Sequence, residues 1–168
     1  MKYICALTLI VLGSLSRADD LAGLDEIEAG LNSVEAHVYA YNLFTNNSKF
    51  SSVLEGIESG DADWIRIGKR LKQYSDGGVG TDLAISFAKA VQSNPSYSLS
   101  VMTDYEVWWS CSVPLIEPTK AEFDSFIEST IIALEKLDDI KVFEKKKSCL
   151  DALEKVRNFS ENEWQDNI

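Results

Sequence analysis

A chain of 168 residues with 45% apolar and 26% charged side chains has the size and composition of one folded domain, which excludes a second sizeable domain and a disordered or fibrous chain. Its 27 acids outnumber its 16 bases, giving a formal charge of −11. That balance argues against nucleic acid and anionic lipid as partners, because both are bound by neutralising phosphate with Lys and Arg.

The first predicted element is an export signal. Lys2 is followed by the apolar run from Ile4 to Leu15, and Ser16-Arg17-Ala18 places small residues at −3 and −1 of a cleavage site between Ala18 and Asp19. A membrane anchor is the alternative, but ~20 apolar residues are needed to span a bilayer and this run is shorter. Cleavage removes Lys2 and Arg17 and no acid, so residues 19–168 carry 14 bases against 27 acids, a net −13. The expected product is an exported chain, periplasmic rather than extracellular, with no membrane insertion after cleavage. Its acidic surface suits a basic protein partner or serves solubility alone.

From Asp19 the apolar pattern is helical. Leu21, Leu24, Ile27, Leu31, Val34, Val38 and Tyr41 recur at steps of three and four and predict one long helix from Asp20 to Phe44. Asn46 to Ser48 cap a second helix with Phe50, Val53, Leu54 and Ile57 inward, ending at Ser59-Gly60. Asp61 caps a third, whose apolar face is Trp64, Ile67, Gly68 and Leu71. Asp76-Gly77-Gly78-Val79-Gly80 reads as a turn, with Thr81 capping a fourth helix that turns Leu83, Ala84, Phe87, Ala90 and Val91 inward.

Asn94-Pro95 starts a fifth helix, with Pro95 where its missing amide costs nothing. Val101, Met102, Tyr105, Trp108 and Trp109 share one broad face of it and are expected in the core, the alternative for the adjacent Trp108 and Trp109 being a binding hot spot. The run Val113 to Pro118 forbids helix, and residues preceding its prolines are expected to be extended. Thr119 and Glu122 have capping-box spacing ahead of the stripe Phe123, Phe126, Ile127, Ile131, Leu134 and Leu137. A last helix carries Val142, Phe143, Cys149, Leu150, Leu153 and Val156. The expectation is all-α: six to seven antiparallel helices over residues 19–159, as a compact bundle or a short HEAT-like array, with residues 160–168 as a polar tail.

Two cysteines remain after cleavage, Cys111 and Cys149. In an exported chain an even pair is most simply a disulfide, here closing 39 residues with both cysteines counted, worth ~4 kcal/mol by chain entropy. Two free buried thiols are the alternative; structural zinc needs four Cys/His ligands, more than the chain then offers.

Residues that could carry chemistry are few. His37 is the single imidazole and lies in no nucleophile context, so Ser-His and Cys-His catalysis have little to build on. Asp61, Asp63, Asp76 and Asp82 surround the Gly77-Gly78 segment and could act as paired carboxylates on a glycoside, though capping and turn roles account for them. The glycine segment lacks the lysine and preceding strand of a phosphate loop, and the acids lack calcium-loop spacing. Asn46 and Asn158 match the glycosylation sequon, which matters only in a eukaryotic secretory pathway. The apolar, proline-bounded segment with Val113, Leu115, Ile116 and Glu117 is the candidate partner-binding loop, its alternative being packing over the core. Trp164 in the acidic tail is a second candidate contact.

Asp76-Gly77-Gly78, Asn94-Pro95 and Cys111-Ser112-Val113-Pro114-Leu115-Ile116-Glu117 with a later cysteine resemble a group of small exported bacterial proteins of unassigned function. The likeness covers Trp64 to Leu150 and implies a helical, disulfide-tied periplasmic protein; it carries over no active site. The expected function is a non-catalytic binding protein, of inhibitor or immunity type, with no cofactor and no metal. The alternatives are an exported hydrolase using the carboxylates near Gly77-Gly78, or a structural accessory of an envelope assembly.

Overall fold

The computed structural model describes residues 23–165, with side chains through Phe159. The expected signal segment with Ala18 and Asp19, and the side chain of Trp164, lie outside the described residues. Within them the protein is an all-α bundle of nine helices: α1 Leu24–Leu31, α2 Ala36–Thr45, α3 Asn47–Glu58, α4 Ala62–Lys72, α5 Gly77–Ser93, α6 Pro95–Val101, α7 Asp104–Ser110, α8 Lys120–Glu135 and α9 Phe143–Gln165. A single 3-10 turn, Ile140–Val142, leads into α9.

Nine helices replace the expected six or seven because two predicted helices are each broken. The long first helix divides into α1 and α2. Ser33 turns its hydroxyl onto the Gly30 carbonyl at 2.7 Å, competing with continuation of the backbone ladder. The stripe therefore splits: Ile27 and Leu31 are buried, Ala40 and Leu43 take over on α2, and Val34, Val38 and Tyr41 face solvent. The fifth helix divides into α6 and α7 at Thr103, which forms a reciprocal capping box with Glu106. Met102 stays in the core and Trp109 is half-buried, but Tyr105 and Trp108 are 70% and 52% exposed. On α9, Phe143 is likewise exposed rather than inward, and the helix continues through Gln165 where a polar tail was expected.

The expected glycine turn is also corrected. Gly77 to Gly80 form the first turn of α5, entered through Gly77 at φ +46, and Thr81 bonds back to the Gly77 carbonyl instead of capping. Helical glycine is unfavourable by about 1 kcal/mol per residue. Burial of Leu83, Phe87, Ala90 and Val91 further along α5 drives the helix nonetheless.

Other helix starts follow their local chemistry. Asn46 accepts the Lys49 amide, Asp61 the amides of Asp63 and Trp64, Asn94 that of Tyr97, and Thr119 forms its capping box with Glu122.

Helix α5 is the hub, packing against α3, α4, α6, α7 and α8. Close approach is possible at Gly68, where a Cβ would lie 2.6 Å from Ile57 Cδ1 and 3.1 Å from Phe87 Cζ, so α3, α4 and α5 meet there. The end of α3 is sealed by the end of α5: Ser93 Oγ donates to the Glu58 carbonyl at 2.7 Å and Asn94 Nδ2 to that of Gly60 at 2.8 Å. Lys145 from α9 does the same for α6, donating to the carbonyls of Leu99, at 2.9 Å, and Met102.

Candidate functional site

Two features stand out from this scaffold: the loop between α7 and α8, and a cavity where α4, α5 and α7 meet.

The loop is held at both ends. Cys111, the residue closing α7, is bonded to Cys149 of α9 with the sulfurs 1.94 Å apart and the Cα atoms 5.2 Å apart. Both cysteines are fully buried. At the other end the Thr119 capping box fixes the start of α8. Between these anchors Val113 and Glu117 have φ of +53 and +46. Both precede prolines, and extended backbone was expected at each, so the finding is a correction. A left-handed residue bearing a Cβ is strained by ~1 to 2 kcal/mol, most severely a β-branched one such as Val113. The bond at Cys111 and the burial of the Val113 side chain hold the chain in this reversal.

The outcome is a sharp division of labour among the four loop residues singled out above. Val113 is packed in the core and Leu115 is half-buried, whereas Ile116 is 66% exposed and Glu117 is exposed. Leu115, Ile116 and Pro118 form the lip of an open trough of about 750 Å³ whose floor includes Gln92, Phe126 and Ser129 of α5 and α8. From Glu117 to Asp139 the chain carries seven acids and two bases, and six of those acids are exposed.

The second feature went unseen in the sequence. A cavity of about 260 Å³ is walled by Ala84, Phe87, Met102, Tyr105 and Trp109, with Gly77 and Gly80 leaving one side open. Its polar end is Glu106, Lys69 and Lys72. Lys69 Nζ donates to both Glu106 oxygens, at 2.6 and 2.7 Å, and Lys72 Nζ to one of them at 2.9 Å. The Thr103 backbone and hydroxyl donate to the same carboxylate at 2.7 and 3.0 Å. Burial works to raise the Glu106 pKa, and the hydrogen bonds from Lys69, the Thr103 backbone and Lys72 outweigh it, holding the carboxyl at about 2. Glu106 is thus ionised near neutral pH with both oxygens occupied, which suits it to positioning the lysines and not to proton transfer. Thr103-Asp104-Tyr105-Glu106 has capping-box spacing and could have revealed both the break before α7 and the fixed position of Glu106.

The four aspartates near the glycine segment do not line this cavity. Asp61 caps α4, Asp63 pairs with Arg66 at 3.2 Å, and Asp76 and Asp82 are exposed at the start of α5. His37 is exposed on α2. Among the described residues no three His, Cys, Asp or Glu side chains group as metal ligands, and no helix is long and apolar enough to cross a membrane. The chain matches no protein-family model, no curated protein and no solved structure.

Proposed function

We propose that this is an exported, periplasmic, non-catalytic binding protein of inhibitor or immunity type, which contacts a basic protein partner through the Cys111–Thr119 loop and the acidic surface that follows it. The observation that carries the reading is the loop geometry: two left-handed residues between a disulfide and a capping box present Ile116 to solvent at 66% exposure. A segment already fixed before binding loses little conformational entropy on association, which favours affinity. Seven acids against two bases from Glu117 to Asp139 supply the complementary field for a basic surface, and such a field acts chiefly on association rate and specificity.

Capture from periplasmic extract by the tagged mature chain tests the reading. A discrete protein retained at low salt and released at high salt is expected. No salt-sensitive partner in either condition contradicts it. Mass spectrometry of the secreted chain bears on the export half, with Asp19 expected at the new N-terminus.

A further inference from the structure

The cavity beside α5 has a chemistry unlike the rest of this acidic chain. Lys69 and Lys72 against Glu106 leave its polar end with one net positive charge. Glu106 accepts five hydrogen bonds, so its lone pairs are used, while two ammonium groups with six N–H bonds between them spend three on it. The polar end therefore has donors to offer and no matching acceptor. Ser110, only 4% exposed, lines the same cavity.

The remaining walls are apolar and aromatic, and a concave apolar site with a few convergent polar groups is the usual form of a small-molecule site. Neighbouring bases do not compete for this role. Arg66 and Arg70 of α4 are turned to α1, Arg66 onto Glu28 at 2.8 Å and Arg70 onto the Leu31 carbonyl at 2.9 Å. The volume of about 260 Å³ exceeds the ~150 Å³ that holds benzene and falls below the ~300 Å³ at which drug-sized sites begin. One ring, or a short alkyl chain, with a charged end fits that range.

We infer that this cavity is a binding site for a small amphipathic organic anion, its apolar body against Phe87, Met102 and Trp109 and its carboxylate on Lys69 and Lys72. The site is separate from the loop and does not depend on the partner reading above.

Calorimetric titration of the mature chain with 4-phenylbutyrate, and with 4-phenylbutylamine as its charge-reversed counterpart, tests it. The expected result is one saturable site for the anion and binding at least tenfold weaker for the amine. Lys72→Met should weaken the anion about tenfold, and Ala84→Leu, which fills the apolar end, should abolish binding while the thermal transition is retained. Absence of saturable binding up to about 10 mM would overturn the inference. So would equal affinity for the amine, which needs no variant to fold, or unchanged binding to a folded Ala84→Leu protein.

Discussion

Lys69 and Glu106 are 37 residues apart in sequence and joined by two hydrogen bonds of 2.6 and 2.7 Å, and with the Lys72 bond to the same carboxylate at 2.9 Å they link α4 to α7. Glu106 has its pKa depressed to about 2 in the folded protein, so its contribution to stability is present above the ordinary carboxylate pKa and is lost as pH falls through that range toward 2. Allowing for solvent screening of the half-exposed lysines, Glu106→Gln should cost about 1 to 2 kcal/mol near neutral pH. Urea denaturation should show the two proteins converging between pH 4.5 and pH 2. A gap that persists at the acid end would mean that the loss is one of packing, not charge.

The Cys111 to Cys149 bond joins α7 to α9 across 38 residues of sequence. The double variant Cys111→Ala/Cys149→Ala should lose about 2 to 4 kcal/mol, the typical effect of a staple of this span. The urea midpoint measures it. An unchanged midpoint would show that helix packing alone fixes the loop.

Tyr39 is the one case among the described residues of a buried side-chain polar atom with no hydrogen-bond partner, its hydroxyl, and burial pushes its pKa up, aided by Glu26. Most core truncations destabilise. Tyr39→Phe should instead leave stability unchanged or raise it by about 1 kcal/mol, because an unsatisfied group is removed with the ring kept. Gly30→Ala should destabilise, since its Cβ would stand 2.5 Å from that ring. Thermal unfolding of the two variants checks both signs, and a destabilised Tyr39→Phe would reveal a partner for the hydroxyl.

At Glu117, φ is +46 and the side chain is exposed. Relief of left-handed strain should outweigh the extra freedom glycine adds to the unfolded chain, so Glu117→Gly should gain up to about 1 kcal/mol. Glu117→Ala, which keeps a Cβ, should gain nothing. Equal melting temperatures for the glycine and alanine variants would contradict a left-handed Glu117.

What the sequence showed of this fold was what is encoded locally. The caps at Asn46, Asp61, Asn94 and Thr119 are short-range hydrogen bonds, and each starts a helix where its spacing indicated. The stripe from Phe123 to Leu137 was legible for the same reason. The apolar repeat misled where it ran past a break, as Val34 in the turn after α1 and Val38 and Tyr41 on α2 continue the spacing of α1 but face solvent. Gly77 to Gly80 misled because propensity is a weak prior against the burial further along α5. The cavity was out of reach, since Lys69, Glu106 and Trp109 come together only through the packing of α4, α5 and α7. The Cys111–Glu117 segment was recognisable as a loop, but its left-handed residues were not, because proline rules describe only the commonest backbone of the residue before it.

In the proposed function the stapled loop is the contact, with Ile116 at its exposed tip. Ile116→Lys places a positive charge at an exposed position and should leave the thermal transition within about 2 °C of the parent. The direct measurement is the amount of salt-sensitive partner retained by this variant against the parent at matched protein load. Retention should fall to about a tenth or less, since a charge in a desolvated contact costs more than about 1.4 kcal/mol. Equal retention by both proteins would contradict it.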